Sequence, residues 1–423
     1  MRGTDEAGRA ADKAVATVEA IGAIGAVNGL TARWAGAMSD RTLSSDGTVF
    51  SAAGVWPLLA FLADGAAGAA RSELGEALGL PADRAAGAAR ELLDGLAGVR
   101  GLDSALGLAL GLWTWRTVEL RDEWAAGLPA GTHGVLTGDE GIDRRALDAW
   151  AAKHTGGQID RMPVTLRPNT ALVLATALTL RTDWEVPFQG DLMPWRDADR
   201  AGLTRTTPDL DAVAVARTPS GAVTVATVRG TNGLDVLLLL GDEELGPGEV
   251  IGAGVEVLAG TRAAVPGSRL PLGQAGPGLL IQKLPCFAPE PPSLKLDTVE
   301  FTLAAEHDLA ARPELFGLAT ATDGASGHFP GISAAPLARI SGRQSATASF
   351  SAEGFRAAAV TAFEMLWLGL PENEPQHETL RVHATFDRPF GFLAVHRDTR
   401  LVLAAGWVID PEPFREDDLD EAG

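Results

Sequence analysis

The sequence predicts a mixed α+β fold, and three observations support this. Helical periodicity is concentrated in the first part of the chain, whereas short alternating runs bounded by turn residues dominate the rest. Residues 171–180 form a continuous apolar run, typical of a central strand buried on both faces. The chain has 423 residues and is 46% hydrophobic, which is enough for a large core. Helices first and strands later favour α+β over an alternating α/β fold.

The first predicted helix covers residues 18–38. Ile21 and Ile24 share one helical face, while Glu19 and Asn28 interrupt the apolar character of the segment. It is therefore predicted to be a packed helix rather than a membrane span. Similar spacing predicts later helices at residues 55–70, 71–80, 82–96, 122–127, 143–154 and 313–318.

The predicted strands are short, and turn residues separate them. A short apolar run at 49–51 precedes the second helix, and the run at 171–180 is the most strand-like segment of the chain. The second half contains a meander followed by a closing hairpin. The other predicted strands cover residues 106–115, 212–216, 223–228, 234–240, 279–287, 339–350, 380–386, 391–395 and 401–407.

Composition excludes several classes of partner. The formal net charge of −20 disfavours nucleic acid and anionic membrane surfaces, because both require basic patches. The single cysteine, Cys286, lies in an apolar setting and is predicted to be a buried, inert thiol. The first residues lack the pattern of a signal peptide. The expectation is a cytoplasmic protein by default, with export left open.

The usual catalytic and metal-binding motifs are missing from the sequence. It has no Walker loop, no Gly-x-Gly-x-x-Gly after a strand, no Gly-x-Ser-x-Gly elbow and no His-Glu-x-x-His. We therefore predict no enzymatic activity, no cofactor and no metal site. Scattered histidines without metal-ligand spacing are predicted to be surface or satisfied core residues: His133, His154, His307, His328, His377, His383 and His396.

The most unusual segment covers residues 350–370. The pair Glu353–Gly354 precedes a run of small residues, which a bulky apolar cluster follows. With a period of 3.6 the apolar residues share one face of a helix, whereas with a period of two Phe355 and Phe363 share one face of a strand. Periodicity alone leaves both interpretations open.

A series of short motifs gives this chain a specific resemblance. Each motif is weak alone, but they follow one another in a fixed order along nearly the whole chain. Together they resemble the serpin family, and the chain is identified as a divergent, bacterial-type member. The motifs lie at residues 49–51, 65–74, 150–159, 170–188, 329–341 and 386–411.

The resemblance implies a serpin fold with a large five-stranded central sheet, two smaller sheets, about eight or nine helices and an exposed reactive loop. One domain would cover residues 14–411, with the loop at about 351–380. Residues 1–13 would be a flexible tail, and residues 412–423 an acidic tail. In inhibitory serpins a protease cleaves the loop, becomes trapped as an acyl-enzyme, and the loop then inserts into the large sheet as a new strand.

The resemblance places the hinge of this loop at residues 353–361. Glu353 and Gly354 match the family's hinge pair, and Thr361 is compatible with it. Phe355 departs from the family's small polar residue, and overpacking of an interior typically costs about 1–3 kcal/mol. It is expected to slow or stop insertion unless a cavity receives it. The other hinge residues are Arg356, Ala357, Ala358, Ala359 and Val360.

The region where the sheet must open also differs from the family pattern. Trp184 matches the tryptophan near the loop's entry point, and Ser51 keeps one serine beneath the sheet. Gly54 replaces a second serine, Thr176 an asparagine and Gln344 a histidine. The buried polar network that controls sheet opening is thus expected to be either rebuilt or missing.

Counting from the hinge by the family's spacing predicts cleavage between Leu368 and Gly369, with Leu366 and Leu370 as alternates. Counting back from the closing hairpin predicts a site about ten residues later, so the loop is longer than usual. The apolar cluster would suit a chymotrypsin-like or subtilisin-like serine protease. The family default is a monomer.

Two functions follow from these observations. The hinge pair and the small-residue run favour a suicide inhibitor of a serine protease. Phe355, the altered opening network and the long loop favour the alternative, a non-inhibitory binding or carrier protein with the serpin fold.

Overall fold

The computed structural model describes residues 21–38, 44–97, 106–162, 164, 171–196, 198–322, 327–334, 337, 340–355 and 377–414. Within these residues the fold is mixed α+β, as predicted. The helices are α1 (21–36), α2 (Ala52–Gly65), α3 (Gly68–Leu78), α4 (Ala82–Ala97), α5 (Asp122–Ala126), α6 (Glu140–His154), α7 (Pro247–Ala259) and α8 (Pro313–Phe316), with 3₁₀ turns at Leu210–Ala212, Gly267–Arg269, Leu309–Ala311 and Thr320–Thr322.

The strands of the described residues form three large sheets and one short pair. They are β1 (Gly47–Phe50), β2 (Leu106–Trp115), β3 (His133–Leu136), β4 (Leu172–Leu180), β5 (Thr182–Asp183), β6 (Gln189–Trp195), β7 (Ala198–Thr207), β8 (Val213–Arg217), β9 (Ala222–Arg229), β10 (Leu234–Gly241), β11 (Ala264–Pro266), β12 (Gly273–Gly276), β13 (Leu279–Cys286), β14 (Ser293–Val299), β15 (Phe301–Asp308), β16 (Ile340–Phe350), β17 (Gly354–Phe355), β18 (His377–Thr385), β19 (Phe390–His396) and β20 (Leu401–Val408).

The five-stranded sheet has the order β15-β16-β4-β2-β3. Strands β16 and β4 are its central parallel pair, and their pairing runs from Ile340 opposite Leu172 to Ala346 opposite Leu178. Beyond Ala346, β16 continues to Phe350 against β15 alone. A gap therefore opens between β16 and β4 at one end of the sheet.

The other two large sheets have the orders β1-β20-β19-β10-β9-β8-β11 and β12-β13-β18-β14-β7-β6. The three predicted sheets are present, but the resemblance had implied that the five-stranded sheet would have the most strands. Among the described residues it has fewer strands than the other two. Strands β10, β19 and β20 are buried along their whole length, and helix α7 packs against all three.

Helix α2 lies in the core between the five-stranded and seven-stranded sheets. Ser51 caps it, since the Ser51 side chain accepts a hydrogen bond from the Gly54 N–H. Nearly every residue of the helix is buried. The cap therefore fixes the start of α2 directly below β16 and β4.

Several predicted boundaries were wrong. The segment 55–70 was predicted as one helix, but α2 ends at Gly65 and α3 begins at Gly68. A Cβ on Gly65 would lie 2.2 Å from the Ile332 side chain, so close packing against a distant residue fixes this break. Local spacing carries no such information. Sequence reasoning also missed α7, β3, β6, β7, β11, β12, β14 and β15.

Candidate functional site

The open end of the gap between β16 and β4 holds the first residues of the predicted hinge. After Phe350 the backbone turns, and the Ser351 N–H donates to the Gly354 carbonyl at 2.9 Å. Gly354 and Phe355 then run antiparallel to β5, with Gly354 opposite Asp183 and Phe355 opposite Thr182. These two residues are extended. Periodicity had left a helix and a strand open for this segment, and the strand is correct for Gly354 and Phe355.

Gly354 allows this close approach because it has no side chain. A Cβ at this position would lie 2.2 Å from the Thr182 carbonyl oxygen, far inside van der Waals contact. The contact is with backbone, which cannot move aside cheaply. The predicted hinge glycine is therefore a geometric requirement of the β17–β5 pair.

The side chain of Phe355 is buried in the interior. Its side chain is 2% exposed, and its ring centroid lies 6.0 Å from that of Phe392 at an interplanar angle of 62°. Phe392 in turn packs on Phe301, which stacks on Phe350 at 5.4 Å. The interior therefore accommodates the Phe355 ring in this conformation.

Trp184, the predicted entry-point residue, binds the turn before Gly354. Its indole Nε1–H donates to the Ser351 carbonyl and its backbone N–H to the Glu353 carbonyl, both at 2.9 Å. The Phe188 N–H donates to the Ala352 carbonyl at 2.8 Å. Residues 182–188, which we call the acceptor segment, therefore hold three consecutive carbonyls of the turn.

Below the sheet, Gln344 connects three elements. The Gln344 amide is fully buried; its Oε1 accepts from the Ser51 N–H and its Nε2 donates to the Ser51 carbonyl, both at 2.8 Å. Nε2 also donates to Thr176 Oγ1 at 3.1 Å. The Ser51 hydroxyl donates to the Leu403 carbonyl at 2.6 Å. The polar network is therefore rebuilt, not missing.

Gly54 makes room for this arrangement. A Cβ at Gly54 would lie 3.4 Å from Gln344 Nε2 and 3.5 Å from Thr176 Oγ1. A serine side chain would extend further into the space that the longer Gln344 amide occupies. The substitutions at these positions thus form one compensated set of contacts beneath β16 and β4.

The comparisons with known proteins agree with this geometry. The family described as Serpin (serine protease inhibitor) matches residues 26–194. Serpin-Z6C of Oryza sativa subsp. japonica is 26% identical, covering 91% of this chain and 97% of the relative. The resemblance to serpins is therefore confirmed by the family model, by a relative aligned along most of the chain and by the fold of solved structures. A second relative from the same organism, serpin-Z6A, is 31% identical over 151 residues, or 33% of this chain and 38% of that protein.

Solved serpin structures share the fold at low sequence identity. The thermophilic serpin tengpin in its native state has a TM-score of 0.69 at 14% identity, covering 92% of this chain and 94% of its own. Protease nexin-1 with heparin has a TM-score of 0.67 at 15% identity, with 93% and 100% covered. Thyroxine-binding globulin with thyroxine has 0.66 at 17% identity, with 94% and 100% covered. The same fold therefore occurs in structures solved with heparin and with thyroxine.

Much of the predicted reactive loop lies outside the described residues. This applies to Leu366, Leu368, Gly369 and Leu370, and to the hinge residues 356–361. The predicted role of these residues stays a prediction. Within the described part, no group of three metal-ligating side chains occurs, and no helix is long and apolar enough to span a membrane.

Sequence reasoning missed the place of His307 in the five-stranded sheet. His307 lies opposite Gln344 in the β15–β16 register, and its Nε2 is 2.8 Å from the Val49 carbonyl. The nitrogen must carry the proton there, because a carbonyl can only accept. Burial lowers the pKa of His307, although the bond to Val49 opposes this. Strand β15 was not predicted, so its alternation could not assign the residue.

Arg205 was also missed, and it lies against the acceptor segment. Its guanidinium is 4.6 Å from the centroid of the Phe188 ring and donates to the Val186 carbonyl at 3.1 Å and the Thr227 carbonyl at 3.3 Å. Burial lowers the pKa of Arg205 to about 10, partly offset by Glu185. Cys286, by contrast, is buried as predicted.

Proposed function

We propose that this serpin inhibits a serine protease as a suicide substrate. One observation carries the proposal: Gly354 and Phe355 already pair with Thr182 and Asp183 at the open end of the gap. Because β16 and β4 are parallel, a strand between them must run antiparallel to both if it returns from the end of β16. The Gly354–Phe355 pair has this direction.

The chemistry would follow the acyl-transfer half of a protease cycle. The protease serine attacks the carbonyl carbon of Leu368, the bond to Gly369 breaks, and the amine of Gly369 leaves with a proton. An ester then joins Leu368 to the protease. Leucine, with Trp367 beside it, would suit a protease of chymotrypsin-like or subtilisin-like specificity.

Insertion would then carry the attached protease across the molecule. Leu368 lies thirteen positions after Phe355, which corresponds to roughly 43 Å of extended strand. The β16–β4 pairs would be exchanged for two antiparallel ladders, one on each side of the new strand. Small side chains at 357–359 suit the packed layer beneath the sheet.

The proposal is tested by incubating the protein with chymotrypsin and with subtilisin. A covalent complex that survives denaturing electrophoresis, together with a large rise in the melting temperature of the cleaved protein, is the expected result. A nicked protein with unchanged melting and a fully active protease would overturn the inhibitory function.

Gly354→Ala provides a sharper test of insertion. The added Cβ would collide with the Thr182 carbonyl, so the hinge should leave the sheet and the protein should become mainly a substrate, with at least a tenfold smaller covalent fraction. Gly252→Ala is the matched control, because a Cβ there has no neighbour within 4 Å. Equal covalent fractions for the two variants would argue against a role for the β17–β5 pair.

The alternative function is a non-inhibitory binding or carrier protein, and the same Phe355 supports it. Its ring is already buried in the uncleaved chain, so insertion gains nothing further from this side chain. A similar fold also occurs in the structure of thyroxine-binding globulin with thyroxine. Cleavage without trapping in the protease experiment would favour this alternative.

A further inference from the structure

We propose that two arginines, Arg205 and Arg397, position the acceptor segment so that it can receive the hinge. We call them the arginine bracket. The bracket acts on the side of the segment away from β16 and touches no hinge residue among the described contacts. Its consequence for inhibition rests on the proposed function, whereas its effect on hinge docking does not.

Arg397 connects the segment to the seven-stranded sheet through three partners. Its Nε donates to Asp235 Oδ2 at 2.9 Å, and its Nη2 donates to Asp235 Oδ1 at 2.7 Å. The same Nη2 lies 2.7 Å from the Gly230 carbonyl and 3.0 Å from Glu185 Oε1. Glu185 belongs to the acceptor segment, so its carboxylate is the link between the segment and a fixed part of the core.

The Asp235–Arg397 ion pair is itself held in a fixed position. The Asp235 side chain is 8% exposed, and its Oδ1 also accepts from the Gly230 N–H at 3.2 Å. Hydrogen bonding to Asp235 raises the pKa of Arg397, so the guanidinium remains charged across the biological range. A bidentate fork of this kind fixes orientation as well as distance.

Arg205 holds the other end of the same segment. It donates to the Val186 carbonyl and lies over the Phe188 ring, while its second donor reaches Thr227 on β9. The Glu185 carboxylate bonds to Arg397 directly at 3.0 Å, and its charge raises the pKa of both Arg205 and Arg397.

Backbone contacts place this bracket directly behind the hinge. The Glu185 N–H donates to the Arg229 carbonyl at 3.0 Å, and the Thr231 N–H donates to the Asp183 carbonyl at 2.9 Å. The opposite edge of the segment binds the Glu353 and Ala352 carbonyls through Trp184 and Phe188. One edge is thus tied to the core, which leaves the other in position for the hinge.

The test is Glu185→Met, which removes the carboxylate but keeps the length of the side chain. Glu256→Met is the matched control, since Glu256 on α7 forms a comparably exposed ion pair with Arg262. Amide hydrogen exchange of Trp184 and Phe188 reports hinge docking without any protease. We expect two- to fivefold faster exchange at both amides in the first variant and no change in the second.

Salt provides an internal check on the same readout. Raising the ionic strength should speed exchange of these two amides in the unmodified chain and leave Glu185→Met largely unaffected, because its ion pair is already lost. Unchanged exchange in Glu185→Met would overturn the bracket. Arg397→Lys, which keeps the charge but loses the fork, should give an intermediate rate if the bracket is correct and an unmodified rate if it is not.

Protease trapping separates this proposal from the inhibitory function. If exchange rises and the covalent fraction falls, both the bracket and the inhibitory function are supported. If exchange rises in a protein that never traps a protease, the bracket stands and the inhibitory function fails.

Discussion

At the residue scale, Phe355 fixes the first part of the predicted hinge in the interior. Its ring is buried beside Phe392 in the uncleaved chain, while the predicted slowing of insertion by this residue stays a prediction. Phe392 belongs to a larger aromatic cluster with Phe301, Phe350 and Phe390. A large side chain therefore anchors the hinge, and a smaller one would leave a cavity.

Phe355→Ala should destabilise the uncleaved protein by about 2–3 kcal/mol. Phe→Ala in a rigid core typically costs about 3–5 kcal/mol, but release of the hinge limits the loss here. Urea unfolding measures the change. The control is Phe287→Ala, because Phe287 is 53% exposed and its removal should change the free energy of unfolding by less than about 0.5 kcal/mol. Equal effects from the two variants would contradict the anchoring role.

At the scale of elements, Gln344 joins β16 to both β4 and the start of α2. The amide binds Thr176 and both backbone groups of Ser51. Separation of β16 from β4 would break the Thr176 bond but could retain the bonds to Ser51. The network thus ties β16 to the helix beneath it more firmly than to its neighbouring strand.

Gln344→Met should lower the free energy of unfolding by about 2–4 kcal/mol, because the Ser51 N–H and carbonyl lose their Gln344 partner in the interior. Thr176→Val removes one bond only and should cost about 1 kcal/mol. Chemical denaturation of both variants gives the comparison. A larger loss for Thr176→Val would show that the strand-to-strand bond dominates.

At the scale of the whole molecule, burial gives several histidines the same pH response. Burial lowers the pKa of His133, His154, His307 and His396. The unfolded chain therefore binds protons at a higher pH than the folded chain, starting near the usual value of about 6.5. Each lowered pKa makes the folded state less stable as the pH falls through that value.

The free energy of unfolding should thus decrease between pH 7 and pH 5, as measured by urea unfolding. His307→Gln should reduce this decrease, while the exposed His377→Gln should leave it unchanged. A second decrease in the free energy of unfolding is expected below pH 4, where Asp297 becomes protonated. Burial raises the pKa of Asp297, but hydrogen bonds from His383, Thr204 and Lys295 outweigh this and lower it overall. A stability that is flat from pH 7 to pH 5 would contradict the histidine argument.

Sequence reasoning succeeded where the signal was local or lay in the order of motifs. The apolar run at 171–180 became β4, which is buried at every position. The positions of Trp184, Gln344 and Gly354 at the gap followed from motif order. The place of Phe355 did not, because the ring depends on Phe392, which is distant in sequence. The bracket was missed for the same reason, since Arg205, Arg397 and Glu185 meet only through three different strands and turns.

The pairing of Gly354 and Phe355 with β5 has a kinetic consequence. When a strand is added to a sheet, formation of the first residue pairs is the slow step, and the later pairs form cooperatively. In this protein the first two pairs, which Gly354 and Phe355 form with β5, are already present before any peptide bond is cut. In the proposed insertion, the rate of strand addition should therefore be set by how fast the β16–β4 ladder separates ahead of the incoming chain, not by the formation of the first pairs.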